Sequence, residues 1–330
     1  MSTKPVRSLR KLSTLSVPLA LAALIPASAG AAEKSLIDTT RSPHAKMYMT
    51  DLSDVRWTSG LWAERFEACR DTMIPHMWSI FKDPYESHAW DNFLVAAGMG
   101  TGRNGAKKFH GPPFNDGDFL KWVEALVQVY AITRDPAIDK QLDEIITVVA
   151  KAQREDGYLH TQKIIPQRQG LTGTAAKEFE DREHFETYNM GHLITTACIH
   201  YRVTGKTNLL DCARKAADYI ENLAQNVPHD LARNAICPSH YMGVIELYRV
   251  TREPRYLELG KQLIEIRNLV TPQDGSDHNQ DRTPFRETFE AVGHAVRANY
   301  LYAGVADVYA EAGDKTLFTP LEKISEDVAT

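Results

Sequence analysis

The chain has 330 residues, 43% of them hydrophobic and 25% charged, with 38 Lys and Arg against 43 Asp and Glu and a net charge of −5. This is the balance of a globular protein with a large core, and it excludes a disordered or fibrous chain. Basic residues are mixed with acidic ones, with no basic run past the first residues and no aromatic platform among them, which excludes nucleic acid as a partner.

In chain order, Lys4, Arg7, Arg10 and Lys11 precede an apolar run from Leu12 to Ile25, and small residues follow from Ala27 to Ala32. A charged start, a short apolar run and an A-x-A motif describe a secretory signal peptide over residues 1–32, cleaved between Ala29 and Ala32. The run falls short of the roughly 20 apolar residues of a membrane anchor. The expectation is a secreted or periplasmic protein with no membrane contact after cleavage. Residues 33–58 are polar and irregular and read as a lead-in strap.

The pattern from Leu61 to Phe81 is helical, with Pro75 predicted to kink or end it. A short helix follows at HAWDNFLVAAG, then a Gly- and Pro-rich loop, then helices over 116–132 and 137–153. The next loop, from Asp156 to Arg182, is long and polar, the kind that carries function in a compact helical protein. In the central segment, Phe185, Tyr188 and Met190 to Leu193 open an apolar helix that breaks at Gly205 and resumes at Leu209, Leu210, Ala213, Ala216, Ala217 and Ile220, a helical hairpin. Another hairpin spans 234–267. A second polar loop over 271–286 leads to a helix from Glu287 to Glu311 and a last one from Thr316.

The second half of that hairpin recurs. Tyr130, Tyr201, Tyr248 and Tyr309 each close a helix before a Gly, Arg or Pro break and a new amphipathic helix. Their uneven spacing suits helix pairs carrying variable loops. The predicted fold is all-α, an (α/α)6-type toroid of antiparallel helical hairpins over residues 59–330. It is expected to be incomplete, because only about ten helices are legible. The four cysteines, Cys69, Cys198, Cys212 and Cys237, lack C-x-x-C spacing, so no zinc knuckle is expected. Cys198 and Cys212 face each other across the Gly205 turn, but packed helix axes lie ~8–10 Å apart, too far for most disulfides, so two buried thiols are expected.

Long loops recur before the first helix of each hairpin, which puts Asp156, Tyr188, His192, Cys237, His240 and His294 at one rim. Tyr188 and His192 share a helix face, with His184 and Glu186 one turn earlier, and Glu290 and His294 lie one turn apart before Arg297 and Tyr300. Tyr158 adds a recognition group to the Asp156-Gly157 turn. Asp116 and Asp118 either cap a helix or belong to the site. The substrate-binding candidates are thus Asp156, Tyr158, His184, Glu186, Tyr188, His192, Cys237, His240, Glu290 and His294. Glu183, His184, Glu186 and His192 do not reproduce H-E-x-x-H, so no metal ligands are assigned. Aromatics, carboxylates and histidines around one mouth, with no phosphate-binding Gly loop and no Ser elbow, point to a carbohydrate.

The runs SHAWDNFLVAAG (87–98), FHGPPFNDGDFLKWVEA (109–125), AQREDGYLHT (152–161), ETYNMGHLITTACIHYRVTGK (186–206) and GHAVRANYLYAGVADV (293–308) resemble the catalytic domain of the β-L-arabinofuranosidase-type glycoside hydrolases, family 127. The resemblance covers about residues 55–328. It implies an (α/α)6 barrel followed by β-domains, in an exported bacterial enzyme acting on plant-type or other complex glycans. It also implies retaining hydrolysis by a zinc-bound Cys nucleophile and a Glu acid/base. The family's segments bearing those groups follow the helix that ends this sequence. The expectation is therefore most of the barrel with no catalytic residue and no cofactor in this chain, and with zinc, the rest of the catalytic domain and β-domains in full-length relatives. The family's His in His-Glu-x-Tyr-x-x-Gly-His aligns with Phe185, beside His184. Its His-Pro aligns with Cys237-Pro238, near His240, and His294 matches. Two other readings stay open: another (α/α)6 sugar enzyme of the unsaturated glucuronyl hydrolase or lyase type, and a non-catalytic sugar-binding relative.

Overall fold

The computed structural model describes residues 35–270 and 272–330, so the signal-peptide reading of residues 1–32 lies outside the described residues. Among these there are thirteen α-helices and no β-strand. The first two, α1 (Leu61–Ala68) and α2 (Ile74–Lys82), run on without a break through a π-helical segment, Cys69–Met73. Pro75 does not end the helix. The wider π turn places it in the first turn of α2, where its missing N–H is not needed.

The remaining helices are α3 (Ala89–Ala96), α4 (Asn115–Thr133), α5 (Pro136–Ala152), α6 (Thr161–Arg168), α7 (Glu186–Thr204), α8 (Asn208–Asn226), α9 (Pro228–Asn234), α10 (Ser239–Thr251), α11 (Pro254–Arg267), α12 (Ala295–Ala312) and α13 (Lys315–Ala329). Helices α4, α7, α10 and α12 pack side by side in that order as an inner layer, and each is followed by its outer partner, α5, α8, α11 or α13. The outer helix α8 is one-sided, burying Leu209, Leu210, Ala213, Ala216, Ala217 and Ile220. By contrast α7 is buried almost all round, as a helix between two neighbours and an outer layer must be.

The four tyrosines mark a common chain reversal. The N–H groups of Arg134, Gly205, Arg252 and Gly313 donate to the carbonyls of Tyr130, Tyr201, Tyr248 and Tyr309, at 2.9, 2.7, 2.7 and 2.8 Å. All four donors are left-handed, with φ between 54° and 74°. This is the αL ending of a helix, repeated at each inner-to-outer turn. In the first three copies a threonine also bonds back four residues: Thr133 to the Val129 carbonyl, Thr204 to His200 and Thr251 to Leu247.

Two boundaries differ from the sequence expectation. The segment from Asp156 to Arg182, expected to be a long polar loop, contains α6. The helix expected from Glu287 begins only at Ala295, because Gly293 has φ +76° and packs so tightly that a Cβ there would lie 1.8 Å from the Asp277 carbonyl.

Among its described residues the lead-in has no regular structure up to the short 3-10 turn Leu52–Asp54, and that first part crosses the C-terminal ends of the inner helices. Arg249, fully buried, pairs with Glu246, Asp307 and Glu311 at 2.6, 2.7 and 2.6 Å, and Arg202 pairs with Glu246. Arg202 also donates to the Leu36 carbonyl at 2.7 Å, Ser42 donates to Glu311, and the His44 N–H donates to the Ala310 carbonyl at 3.0 Å. Charges this deep persist because each has an opposite partner. Cys198 and Cys212 are free and buried, and burial pushes the Cys212 thiol up to about 11. Among the described residues no helix is long and apolar enough to cross a membrane.

Candidate functional site

The inner helices share one entry side, since their first turns are tied together. The Gly117 N–H of α4 donates to Asn189 Oδ1 of α7 at 2.7 Å, and Ser239 Oγ of α10 donates to the Tyr188 carbonyl at 2.8 Å. Arg297 of α12 sits 5.4 Å over the Phe185 ring and pairs with Glu183 at 3.2 Å. Glycine is required where these helices touch. A Cβ on Gly117 would lie 2.5 Å from the Tyr188 ring, and one on Gly191 would lie 2.2 Å from Ser239 Oγ.

At this entry, rings descend in contact: Phe114 to Phe185 at 5.5 Å, Phe185 to Tyr188 at 5.8 Å, Tyr188 to His192 at 4.6 Å and His192 to Tyr300 at 5.4 Å. Tyr188 donates its hydroxyl to Asp118 at 3.1 Å, Lys121 pairs with Asp118 at 2.7 Å, and the Lys121 ammonium lies 5.4 Å from the Tyr188 ring centre. Below opens a cavity of about 670 Å³, walled by Thr195, Ile199, Met242 and Ala303 and reached by Leu36 and Ile37 of the lead-in. Lys121, Glu124, His192, Glu246, Tyr300 and Asp307 also line it.

Its electrostatics follow from burial. His192 is 4% exposed, neither ring nitrogen has a partner among the described residues, and burial, helped by Lys121, pushes it down to about 3. The ring is therefore neutral near pH 7, with one nitrogen free to donate and the other to accept. Burial pushes Glu124 up to about 7 against the opposing pull of Gln128 and Lys121, and Asp307 up to about 6 against Arg249. Burial pushes Cys237 up to about 11 although Arg297 and Lys121 oppose it, so it is a thiol rather than a thiolate. It also carries φ +52°.

Of the sequence candidates, the structure brings Tyr188, His192 and Cys237 together at the mouth. His294 lies at its edge, exposed, at the N-cap of α12, with its N–H on the His278 carbonyl at 3.2 Å and its ring 5.4 Å from that of His278. The others lie elsewhere. Asp156 is exposed on a turn at the outer layer, paired with Arg154, where Gly157 presses so closely on α8 that a Cβ would lie 1.9 Å from the Lys215 carbonyl. Tyr158 is fully buried and donates to Glu186 Oε2 at 2.7 Å, while Glu186 Oε1 accepts the Phe179 N–H at 2.9 Å, so both are spent on holding the 153–185 loop. His184 lies in the turn Arg182–His184, 3.8 Å from Asp181, and is lowered by burial and Lys163. His240 is not among the residues lining the cavity. It is 0% exposed, and its one charged influence is Arg267. Glu290 is in a loop rather than a turn of helix below His294, because Gly293 delays α12.

Asp116 resolves as structural: its two oxygens accept from the Thr161 N–H and hydroxyl, both at 2.6 Å, pinning α6 to α4. Of the pair left between capping and the site, Asp118 is at the mouth, and residues absent from the sequence candidates yet present there are Lys121, Glu124, Phe185, Arg297 and Tyr300. Helical spacing from Asp118 and from Arg297 is the signal that connects them.

The zinc that the resemblance implies for full-length relatives does not fit these residues. Among the described residues no three His, Cys, Asp or Glu side chains converge on a point that could hold a metal, and the four cysteines sit on separate elements.

The family model for the β-L-arabinofuranosidase, GH127 catalytic domain, matches residues 54–330. The non-reducing end β-L-arabinofuranosidase of Bifidobacterium longum subsp. longum is 29% identical over 315 residues, 84% of this chain and 46% of that protein. A solved glycoside hydrolase is 43% identical with a TM-score of 0.68, covering 90% of this chain and 40% of its own. A GH127 β-L-arabinofuranosidase from Geobacillus stearothermophilus is 30% identical with a TM-score of 0.71, covering 83% of this chain and 45% of its own. The chain thus spans under half the length of these relatives.

Proposed function

The chain belongs to the GH127 β-L-arabinofuranosidase family, and from that premise we propose that it is the sugar-binding part of an exported β-L-arabinofuranosidase-type glycoside hydrolase. Its mouth takes the terminal L-arabinofuranose of a complex glycan. The observation that carries the reading is His192: a neutral imidazole with both nitrogens unpartnered, held between the Tyr188 and Tyr300 rings at the head of a cavity. Sugar hydroxyls both donate and accept, and a neutral imidazole between ring faces offers them both roles beside surfaces that suit sugar C–H groups.

Binding and orientation are what these residues supply. Tyr188, fixed by Asp118, aims its ring across the entry, and Lys121 holds Asp118 in place. Glu124, which burial raises to about 7, and Asp307, raised to about 6, are groups able to give up a proton inside the cavity. Retaining hydrolysis needs a nucleophile and an acid/base flanking one anomeric carbon, and Cys237, as a buried thiol, is a poor nucleophile. Glycoside cleavage is therefore not assigned to these residues. Export through residues 1–32 belongs to the same reading.

The test is to titrate the purified chain with methyl β-L-arabinofuranoside by calorimetry and assay an aryl β-L-arabinofuranoside for turnover. Saturable binding that falls about tenfold or more in His192→Ala, worth ~1.4 kcal/mol, is expected. No binding by the wild type, or an unaffected variant, would overturn the reading.

A further inference from the structure

The cavity under His192 is larger and more apolar than one sugar ring needs. At about 670 Å³ it falls among the ~300–1,000 Å³ sites that enclose a whole drug-sized ligand, well above the bulk of a pentose. Its walls give a sugar little to bond to. Ile199, Met242, Ala303 and Ala306 are apolar, as are Leu36 and Ile37 of the lead-in, and the Thr195 hydroxyl is spent on the Gly191 carbonyl at 3.2 Å. The deeper carboxylates are engaged as well, Glu246 and Asp307 each pairing with Arg249, at 2.6 and 2.7 Å. A hydroxylated ring drawn down among these groups would give up hydrogen bonds to water and gain few in return.

The polar groups that stay available lie nearer the head. His192, 4% exposed, lines the cavity with both ring nitrogens unpartnered among the described residues. Glu124 is held through Oε1 by the Gln128 amide at 3.2 Å. Burial raises it to about 7, so near neutral pH it donates as well as accepts. From the entry inward the site therefore runs from an imidazole between two aromatic rings, past one carboxyl, to an apolar space. A terminal sugar held at the head must send the rest of its glycan out through the entry, so C1 faces outward and the exocyclic C5 arm is free to point inward.

We propose that the terminal sugar taken by this mouth carries an apolar acyl ester on that arm, seated in the cavity against Ile199, Met242, Ala303 and Ala306. This deepens the function proposed above and rests on it. His192 takes the ring hydroxyls, Glu124 donates to the ester carbonyl, and the apolar walls cover the acyl group. The contact is binding alone, and no bond is made or broken.

The experiment titrates the full chain by calorimetry with methyl β-L-arabinofuranoside, with its 5-O-benzoyl ester and with methyl benzoate. The readout is the ratio of the ester's affinity to that of the plain sugar, in the wild type, Ala303→Phe, Met242→Gln and His192→Ala. Ala303 is an exposed residue of the cavity wall, so a phenylalanine there extends into open space; circular dichroism checks that each variant folds. The wild type should bind the ester about tenfold or more tightly than the plain sugar. Filling the cavity with Ala303→Phe, or making its wall polar with Met242→Gln, should cut that ratio severalfold, while His192→Ala weakens both sugars and leaves the ratio in place. A wild-type ratio near one, or a ratio unchanged in both wall variants, would overturn the acyl pocket and leave the sugar mouth standing. Methyl benzoate binding as tightly as the ester would overturn it in favour of a general apolar site. A wild type that binds neither sugar would defeat the mouth reading itself, a result distinct from the others.

Discussion

Replacing His240 with leucine should make the protein less sensitive to mild acid. In the native fold this imidazole is 0% exposed, neither ring nitrogen has a partner among the described residues, and burial with some help from Arg267 pushes it from its ordinary 6.5 to about 3. The folded value is depressed, so protonation favours the unfolded chain. The residue costs nothing above the unfolded value and progressively destabilises the fold as pH falls from 6.5 toward 3. At about pH 5, one and a half units below the unfolded value, the penalty is roughly 2 kcal/mol, at ~1.4 kcal/mol per unit. Leucine cannot titrate. Its shape mismatch costs under ~1.5 kcal/mol, partly offset by removing two unsatisfied nitrogens. The assay is urea unfolding followed by circular dichroism near pH 7 and pH 5 for both proteins. Wild type should lose ~2 kcal/mol more than His240→Leu between the two, with an unchanged dependence on urea. Parallel losses would mean that His240 is solvated or paired in the folded chain. Methyl β-L-arabinofuranoside affinity near pH 7 should be the same in both.

Three other outcomes follow from single residues. Gly191→Ala drives a methyl to within 2.2 Å of Ser239 Oγ and 2.3 Å of the His240 nitrogen, so it should cost ~3 kcal/mol or leave the chain unfolded, whereas Gly205→Ala, with open space around it but φ +74°, should cost only ~1–2 kcal/mol; calorimetric melting checks the order. Glu186→Gln should flatten the neutral side of the stability profile. Burial raises this carboxyl from 4.5 to about 7 against the Tyr158 hydroxyl, so wild type loses up to ~3 kcal/mol as pH rises through that window and the amide does not. Tyr188→Phe should weaken furanoside binding severalfold while shifting the melting point little, because it removes one hydroxyl from Asp118 and leaves the ring stack in place.

The hairpins and their shared ending were legible because they depend on local chemistry. A left-handed residue after Tyr130, Tyr201, Tyr248 or Tyr309 is a sequence feature as much as a structural one. The facing of individual residues was not legible. Inner helices such as α7 are buried almost all round, so the apolar pattern that orients α8 leaves Tyr188 and His192 without a direction, and on α10 it could not separate His240 from the cavity side. Glu186 reads as a rim carboxylate until Tyr158 and Phe179, which lie on other segments, are seen to occupy both its oxygens. The start of α12 was misplaced for a similar reason: only contact with Asp277 sets the positive φ of Gly293, and no local propensity records it.

The lead-in strap also sets a timetable. Ser42 reaches Glu311 across 269 positions of chain, and the neighbouring His44 closes on Ala310. A chain made or exported from its N-terminus therefore has its floor piece in hand long before the helix end that receives it exists. Each inner helix can stack on its predecessor as it emerges, but Arg249 must wait for Asp307 and Glu311 with its charge only partly matched by Glu246. The cavity acquires its floor in the same late event that neutralises this arginine, so the growing hairpins spend most of their synthesis as an open gutter, the interval in which holding factors or premature association would act on them.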